Sequence, residues 1–146
     1  MSKDILIKTF KKKKILITGH TGLKGSWLSL WLNYIGARVY GISNNFEPDE
    51  TNFKKFKLNK NIKNFDIDIR DFKKLNNIIL RIKPDFIFHF AAQSLVGDSY
   101  KKPIYNFETN INGTLNLLEI LRLAKSRCSS VLITSDKSYR NFEIKR

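Results

Sequence analysis

Apolar residues recur along the chain with two alternating periods, one typical of buried strands and the other of amphipathic helices. Short apolar runs rich in β-branched and aromatic residues predict five strands, at 14–18, 38–42, 62–67, 86–90 and 130–134. Apolar residues at helical spacing predict three helices between them, at 22–34, 71–83 and 103–125. The polar stretch 43–60 predicts a loop with at most a short helix. This alternation predicts an α/β fold, a Rossmann-type parallel sheet of about five strands with helices on both faces.

The last of these helices carries more than one apolar stripe. One stripe consists of Leu117, Ile120, Leu121 and Ala124. Three further apolar residues lie off it, namely Phe107, Ile111 and Leu118. A helix that is apolar on two sides has to bury both. We therefore expect one face against the sheet and the other against another subunit.

Length and composition bound the domain organisation and the compartment. The 146 residues, of which 42% are apolar, predict a single domain at 14–146 preceded by a basic tail at 1–13. One cysteine and two histidines exclude a disulfide framework and a Cys/His zinc cluster, so no metal site is expected. The sequence contains neither an apolar run of about 18 residues nor a secretory signal, so we expect a cytoplasmic protein with no membrane segment.

The charge raises the question of nucleic-acid binding, because 27 Lys and Arg against 13 Asp and Glu give a formal net charge of +14. Phe53 and Phe56 are interleaved with lysines, as they would be on a surface that stacks single-stranded bases. Lys, Asn, Ile and Phe are, however, abundant throughout the chain. This uniform enrichment favours a solvated surface over a nucleic-acid site.

The most specific motif is a glycine-rich loop, Thr18-Gly19-His20-Thr21-Gly22-Leu23-Lys24-Gly25, which follows the first strand and opens the first helix. The first glycine permits a tight turn, the second lets the backbone approach a pyrophosphate, and the third allows close helix–strand packing. The helix N-terminus adds free N–H groups and partial positive charge. We expect a dinucleotide to bind there through Gly19, Thr21, Gly22, Leu23 and Gly25.

The end of the second strand bears on which dinucleotide binds. A carboxylate that holds the ribose 2′-hydroxyl of NAD is expected there, but the sequence is Ser43-Asn44-Asn45. Ser43 and Asn44 offer neutral hydrogen bonds to ribose. No arginine stands there for a 2′-phosphate, so NAD is favoured over NADP.

Two further strand ends carry candidate cofactor contacts. Asp68 could accept the exocyclic amine of adenine while Ile69 packs on its ring, although Asp68 could equally be a loop carboxylate or a helix cap. After the fourth strand, small residues at Ala91, Ala92 and Gln93 would let the backbone pass close to ribose and phosphates. His89, within that apolar strand, is more typical of a core residue than of a catalyst.

Together these segments resemble the extended short-chain dehydrogenase/reductase family, and within it the nucleotide-sugar 4,6-dehydratases of the CDP-glucose type. The segments that carry the resemblance are TGHTGLKGSWLSLWL, DIRD, HFAAQSLV, SYKKPIYNFETNINGTLNLLE and TSDKSY, between about Lys14 and Asn141. The Lys-Gly-Ser-Trp and Thr-Ser-Asp-Lys stretches are the most specific to this subgroup. The resemblance implies an NAD-dependent lyase of carbohydrate biosynthesis, such as that of lipopolysaccharide O-antigens, with a nucleotide-sugar substrate and a homodimeric intact enzyme.

The resemblance also implies residue roles. Asp68 and Ile69 would lie at the adenine, Ala91, Ala92 and Gln93 near the nicotinamide half, and Asn110 would match a structural asparagine of the family. Three residues would be catalytic. Ser135 would contact the sugar 4-hydroxyl, Asp136 would protonate the departing C6 hydroxyl, and Lys137 stands where related dehydratases often carry a glutamate that removes the C5 proton.

One departure from the family pattern limits the expected activity. The family uses a Tyr-x-x-x-Lys pair, and none of the five tyrosines here has a lysine four residues later. We therefore expect the N-terminal portion of a dehydratase, truncated before that pair, the later strands and the substrate-binding region. Such a chain would bind dinucleotide, not turn over sugar, and associate or aggregate alone. The alternatives are an NAD-dependent epimerase or reductase relative, and a noncatalytic dinucleotide-binding module.

Overall fold

The computed structural model describes residues 3–44, 52–124 and 127–135. Its centre is a sheet of five parallel strands in the order β3-β2-β1-β4-β5. The strands are β1 (Lys14–Thr18), β2 (Arg38–Ser43), β3 (Lys63–Asp66), β4 (Phe86–His89) and β5 (Ser129–Leu132). The chain reverses its direction of travel across the sheet between β3 and β4, which opens a crevice at the carboxyl ends of β1 and β4. The predicted Rossmann-type fold is confirmed.

Seven α-helices connect or flank these strands in the described residues. They are α1 (Lys3–Phe10), α2 (Leu23–Tyr34), α3 (Asn52–Lys55), α4 (Phe72–Ile82), α5 (Val96–Lys101), α6 (Pro103–Phe107) and α7 (Gly113–Ala124). A 3₁₀ turn lies at Leu58–Lys60, and a π turn at Glu108–Asn112 joins α6 to α7. We call the continuous stretch 103–124 the long helical segment.

Helix α4 shows how local sequence signals set an element. The Asp71 side chain accepts a hydrogen bond from the Lys74 amide at 3.0 Å and so caps the first turn. Its apolar face is buried against the sheet through Leu75, Ile78, Ile79 and Ile82. The helix ends at Ile82, and its C-cap Lys83 has a left-handed backbone (φ 51°) and precedes Pro84.

The helices bury both faces of the sheet. On one face, α4 and α7 pack on alternate strand residues such as Leu16, Ile42 and Ile87. On the other face, α2 and the 52–62 segment cover Ile15, Ile17 and Val39. Successive residues of one strand thus pack into the cores on opposite faces of the sheet, because side chains alternate between the two faces along a strand. Burial on both faces fixes the strand register and, with it, the positions of the loops at the carboxyl edge.

Residues 1–13 were expected to form a basic tail, but helix α1 lies within them. The Phe10 ring packs edge-on against Phe86, with ring centroids 5.0 Å apart, and against Trp31 at 6.1 Å. Ile7 also packs on the same core. Aromatic burial ties this segment to the sheet even though lysines surround it.

The two sides of the long helical segment have different environments. The predicted stripe faces the core, where Leu117 and Ile120 are fully buried. Phe107, Ile111 and Leu118 are 62%, 48% and 43% exposed. The described residues therefore cover only one of its apolar faces. No helix in this part of the chain is long and apolar enough to cross a membrane.

Candidate functional site

The glycine loop turns sharply between β1 and α2, at the point where the sheet opens. Gly19 has φ +70° and donates its amide to the Ile42 carbonyl at 2.7 Å. A Cβ on Gly19 would lie 2.8 Å from the Ala91 amide nitrogen, and one on Gly25 would overlap the Gly19 carbonyl. Side chains are therefore excluded at both positions. The loop keeps its main chain exposed between the ends of β1 and β4.

The N-terminus of α2 has neither a side-chain cap nor an acidic residue in its first turn. Its N-cap is Gly22, in an extended conformation, and Lys24 adds a positive charge to the first turn. Unpaired amides, the helix dipole and this lysine all favour an anion there. Leu23 at the first helical position is 70% exposed. The geometry thus fits a diphosphate laid across the loop.

The end of β2 lies beside this loop. The Ser43 hydroxyl is 2.8 Å from the Thr21 hydroxyl, and both residues are buried. Next to it, the Asn44 side-chain amide donates to the Asp68 carboxylate at 2.9 Å. The structure thus brings together the ends of β2 and β3, as expected for parallel neighbours. The polar groups at the end of β2 are neutral in the described residues.

Asp68 is held mainly by Arg70. The Arg70 amide and Nε donate to Asp68 Oδ1 at 2.9 and 3.1 Å, and Arg70 Nη2 donates to Oδ2 at 2.6 Å. Hydrogen bonds from Arg70 lower the pKa of Asp68, and the same bonds raise the pKa of Arg70. Asp68 and Arg70 are both partly buried, and the lowered pKa keeps the Asp68 carboxylate ionised.

Ile69 does not offer the open side chain that packing on a ring would need. It is 5% exposed and lies against Gly113, where a Cβ would overlap its Cδ1. Asn116 donates to the Ile69 carbonyl at 3.1 Å and to the Arg70 carbonyl at 3.0 Å. These contacts fix the loop between β3 and α4 on the long helical segment.

His89 occupies the centre of a buried polar chain at the end of β4. Its Nδ1 lies 2.6 Å from Thr18 Oγ1, and its Nε2 lies 3.1 Å from Thr114 Oγ1. Thr114 donates its hydroxyl proton to the Asn110 carbonyl, so it must accept from Nε2–H. Burial lowers the pKa of His89 to about 4. His89 is therefore neutral, with its proton on Nε2, and accepts from the Thr18 hydroxyl.

This polar chain contacts the loop after β4 in two places. The Ala91 amide donates to Thr18 Oγ1 at 3.3 Å. Asn110 brackets Gln93, because its Oδ1 accepts from the Gln93 amide at 2.7 Å and its Nδ2 donates to the Gln93 carbonyl at 3.0 Å. Asn106 adds a second donor to that carbonyl at 3.0 Å. The Asn110 side chain thus shapes the loop after β4, in which Ala92 is exposed.

His20, inside the glycine loop, is fully buried beneath the loop backbone. Its ring lies against Gly41, where a Cβ would overlap it, and packs edge-on against Phe53 at 5.0 Å. Burial lowers its pKa, while hydrogen bonds involving Ile42 and Asn64 oppose this shift. The buried His20 ring thus packs beneath the glycine loop, between Gly41 and Phe53.

One of the three expected catalytic residues lies in the part of the chain that the structure describes. Ser135 is exposed and follows β5, at the same carboxyl edge as Gly19 and Ala91. Asp136 and Lys137 lie outside the described residues.

Apart from Asn110, sequence reasoning missed the contribution of the long helical segment to the site. Arg70 Nη1 bonds Glu108 Oε2 at 2.9 Å, and the guanidinium carbon lies 4.4 Å from the centre of the Tyr105 ring. Asn106 was likewise not singled out. The Asp-x-Arg spacing in DIRD was a usable local signal, whereas Glu108 is 38 residues away from Arg70. Among the described residues, no group of three His, Cys, Asp or Glu side chains could hold a metal ion.

Comparison with known proteins extends these observations. The family model for GDP-mannose 4,6 dehydratase matches residues 16–142. The chain is 46% identical over 131 residues to CDP-glucose 4,6-dehydratase of Salmonella typhimurium, covering 90% of this chain and 36% of that protein. The chain thus spans little more than a third of that relative's length.

Solved structures with the same fold include two sugar epimerases. The UDP-glucose-4-epimerase of Stenotrophomonas maltophila, with bound NAD and formylated UDP-arabinopyranose, matches with a TM-score of 0.77 and 26% identity, over 90% of this chain and 40% of that one. The UDP-glucose 4-epimerase of Thermus thermophilus, in complex with NAD, matches with a TM-score of 0.67 and 29% identity, over 77% and 35%.

Proposed function

The chain belongs to the GDP-mannose 4,6-dehydratase family, within the extended short-chain dehydrogenase/reductases, and on that premise we propose that it is the NAD-binding portion of a nucleotide-sugar 4,6-dehydratase with a CDP-glucose-like substrate. The observation that carries the proposal is the glycine loop, where Cβ atoms at Gly19 and Gly25 would occupy backbone space. Domain 14–146 is then the cofactor domain. The relative that is 46% identical supports the CDP-glucose assignment.

We propose these roles for the cofactor residues. The amides of the glycine loop, from Gly19 to Gly25 and including Thr21 and Leu23, hold the pyrophosphate. Ser43 lies at the adenosine ribose, and the Asp68-Ile69 turn lies at the adenine end. Ala91, Ala92 and Gln93 border the nicotinamide half, and Asn110 fixes the Gln93 backbone by its two hydrogen bonds.

NAD is the proposed cofactor. The neutral side chains of Ser43 and Asn44 hydrogen-bond to Thr21 and Asp68 and offer no cation to a 2′-phosphate. The two epimerase structures that hold NAD support the same choice. In an intact dehydratase, bound NAD would supply a hydride acceptor for sugar C4 and a hydride donor for C6.

The proposed catalytic residues are Ser135, Asp136 and Lys137, after β5. In an intact enzyme, Ser135 would hydrogen-bond the sugar 4-hydroxyl, Asp136 would deliver a proton to the leaving C6 hydroxyl, and Lys137 would stand in the place of the C5 base. The place of Ser135 beyond the end of a parallel strand supports its assignment, because open α/β sheets bind ligands at that edge. No Tyr-x-x-x-Lys pair occurs in the 146 residues, so we propose that this chain binds NAD without converting the sugar.

An NAD-dependent sugar epimerase is the second candidate, because two of the matched solved structures that hold NAD are UDP-glucose 4-epimerases. Asp136 separates the two, since epimerisation at C4 requires no acid for loss of a C6 hydroxyl. The family match and the 46% identity favour the dehydratase.

Calorimetric titration with NAD and NADP tests the proposal. The parent chain is expected to bind NAD more tightly than NADP, and Gly22→Val is expected to remove the binding, because its side chain would enter the space above the Gly19 carbonyl. Equal heats for the variant and the parent would contradict the phosphate-loop assignment. Formation of a keto sugar by the chain alone would contradict the proposed inactivity.

A further inference from the structure

The helices on the two faces of the sheet differ in how acidic residues are distributed among them. On the side of α4 and α7, ion pairs such as Lys74–Asp71 and Arg122–Glu119 offset part of the positive charge. On the opposite side, α2, α3 and the 3₁₀ turn contain no acidic residue, and α1 contains Asp4 alone. The acidic residues at 47, 49 and 50 lie outside the described residues. Among the described residues, positive charge is therefore least offset on the side of α1, α2 and α3.

The outer face of α2, on this side, exposes two aromatic side chains. Trp27 is 55% exposed and Tyr34 is 79% exposed. Since they are seven residues apart, two helical turns place them on the same face, about 10 Å apart along the helix axis. Phe56 packs edge-on against Trp27, with ring centroids 4.6 Å apart, and so supports that ring. Phe53, the other aromatic residue of the lysine-rich sequence pattern, is buried and cannot stack on a ligand.

Lysines flank this aromatic face on two sides. Lys55 and Lys57 are exposed next to the phenylalanine that supports the tryptophan. At the C-terminal end of α2, the Lys12 amide donates to the Gly36 carbonyl at 2.8 Å, and Lys11 Cγ lies 3.6 Å from the position of a Cβ on Gly36. Both of these lysines are exposed. A polyanion lying along α2 would therefore have cations within reach along its path.

We propose that the outer face of α2, with Trp27 and Tyr34, binds single-stranded nucleic acid. Bases stack on the two rings, and the flanking lysines contact the phosphates, which is how single strands are bound without sequence preference. A membrane surface would instead require a wide and continuous apolar face, whereas Leu28 and Leu30 of α2 pack against the core. The inference does not depend on the proposed cofactor, which binds at the N-terminus of α2.

Fluorescence anisotropy of a labelled oligothymidylate, titrated with the full chain, measures this binding. The single strand is expected to bind more tightly than a duplex of the same length, because paired bases cannot stack on α2. The affinity should fall as salt is raised, with a logarithmic slope of about −0.7 for each phosphate contact. Equal affinities for the single strand and the duplex would overturn the proposal.

The aromatic contacts are tested by matched tyrosine variants. Tyr34→Ala is expected to weaken binding of the oligothymidylate about tenfold, because one base loses its stacking partner. Tyr100→Ala is the control, since Tyr100 is also a helical tyrosine, 83% exposed, but lies on α5. That variant should leave the affinity unchanged. Equal losses in the two variants would overturn the proposal.

Stacking on Trp27 also has a spectroscopic signature. The oligothymidylate is expected to quench the tryptophan emission of the parent chain, because a stacked base contacts the indole ring. The chain contains two tryptophans, Trp27 and Trp31, so Trp27→Phe leaves one emitter. Quenching should be lost in that variant. Quenching that persists there would come from Trp31 and would contradict stacking on Trp27.

The phosphate contacts are tested by two double variants that remove equal charge. Lys55→Gln with Lys57→Gln is expected to make the salt slope shallower by about 1.4, because two phosphate contacts are lost. Lys73→Gln with Lys83→Gln, on the side of α4, should leave the slope unchanged. The pairs are matched because each joins a helical lysine to one with a left-handed backbone, Lys57 at φ 53° and Lys83 at φ 51°.

The remaining outcomes are also decisive. Equal effects of the two lysine pairs would assign the binding to net charge alone and overturn the proposal. So would a folded parent chain that does not bind the oligothymidylate, including one that binds vesicles of phosphatidylserine and phosphatidylcholine instead. Thermal unfolding followed by circular dichroism establishes which variants are folded. Calorimetry with NAD, which tests the proposed function, is a separate measurement, so the two proposals can fail independently.

Discussion

At the scale of single residues, Gly25 is a position where one methyl group has a large effect. A Cβ there would overlap the Gly19 carbonyl, so α2 would have to move away from the turn. We expect Gly25→Ala to lower the free energy of unfolding by about 1–3 kcal/mol and to weaken NAD binding. Chemical denaturation measures the first effect, and calorimetry measures the second.

Gly97→Ala is the matched control, because nothing lies within 4 Å of a Cβ at Gly97 in helix α5. Alanine has a higher helix propensity than glycine, so this variant should be neutral or slightly more stable. Equal stability losses at the two glycines would show that close packing at Gly25 is not the cause.

A second effect at this scale concerns pH and His89. The unfolded chain protonates this histidine below its ordinary pKa of 6.5, whereas burial keeps the folded one neutral down to about 4. The unfolded state thus binds more protons in this window, and the free energy of unfolding falls as the pH falls from 6.5 to 4. The upper limit of this loss is roughly 3 kcal/mol. His20, whose pKa is also lowered, contributes with the same sign.

Urea unfolding between pH 5 and 7 checks this, since carboxylates titrate mostly below that range. The pH slope of the unfolding free energy should be smaller in His89→Asn than in the parent, and the remaining slope should come from His20. An unchanged slope in a folded variant would contradict the assignment of a neutral buried imidazole.

At the scale of elements, the π turn serves to place Asn110 against the loop after β4. Its side chain satisfies both the amide and the carbonyl of Gln93. We expect Asn110→Ala to cost about 1–3 kcal/mol of stability and to speed hydrogen exchange of the Gln93 amide, because that amide loses its acceptor and the Gln93 carbonyl keeps only the bond from Asn106. Exchange measured by NMR reports on that amide directly.

Asn112→Ala provides the comparison within the same π turn, because Asn112 is exposed. That variant should leave Gln93 exchange unchanged. Faster exchange in both variants would indicate that the turn itself, and not the Asn110 side chain, holds the loop.

Elements with a strong local pattern were predictable, and elements that depend on distant contacts were not. The five strands and helices α2, α4 and α7 follow from apolar period, capping residues and glycines. Helix α1 depends on Phe10 meeting Phe86, which no local pattern encodes. Helix α5 buries no residue and so has no apolar period, and the π turn has no sequence marker.

The same distinction holds for the site. The glycine loop could be read from sequence because its chemistry is local to Gly19, Gly22 and Gly25. The arrangement of Arg70, Glu108 and Tyr105 could not, because it depends on how the long helical segment crosses the end of β3. Asp136 and Lys137 remain predictions.

At the scale of the whole molecule, two opposing properties decide whether copies of the chain associate. The long helical segment exposes one apolar residue per turn along the face formed by Ile104, Phe107, Ile111, Leu115 and Leu118. A continuous face of this kind favours self-association, in line with the homodimer proposed for the intact enzyme. The net charge of +14 opposes it by repulsion between copies.

We therefore expect the chain to self-associate in a concentration-dependent manner, and more strongly as salt is raised, since the screening length falls to about 8 Å at physiological ionic strength. A contact held by surface ion pairs would show the opposite dependence on salt. Sedimentation velocity should show a larger monomer fraction in Ile111→Glu. Leu80→Glu, at a position 44% exposed on α4 and not among the residues that form that face, is the control for added charge. Both variants lower the net charge equally. A larger monomer fraction in Ile111→Glu alone would therefore assign the association to the helical face. A parent chain that stays monomeric at all concentrations would rule out self-association.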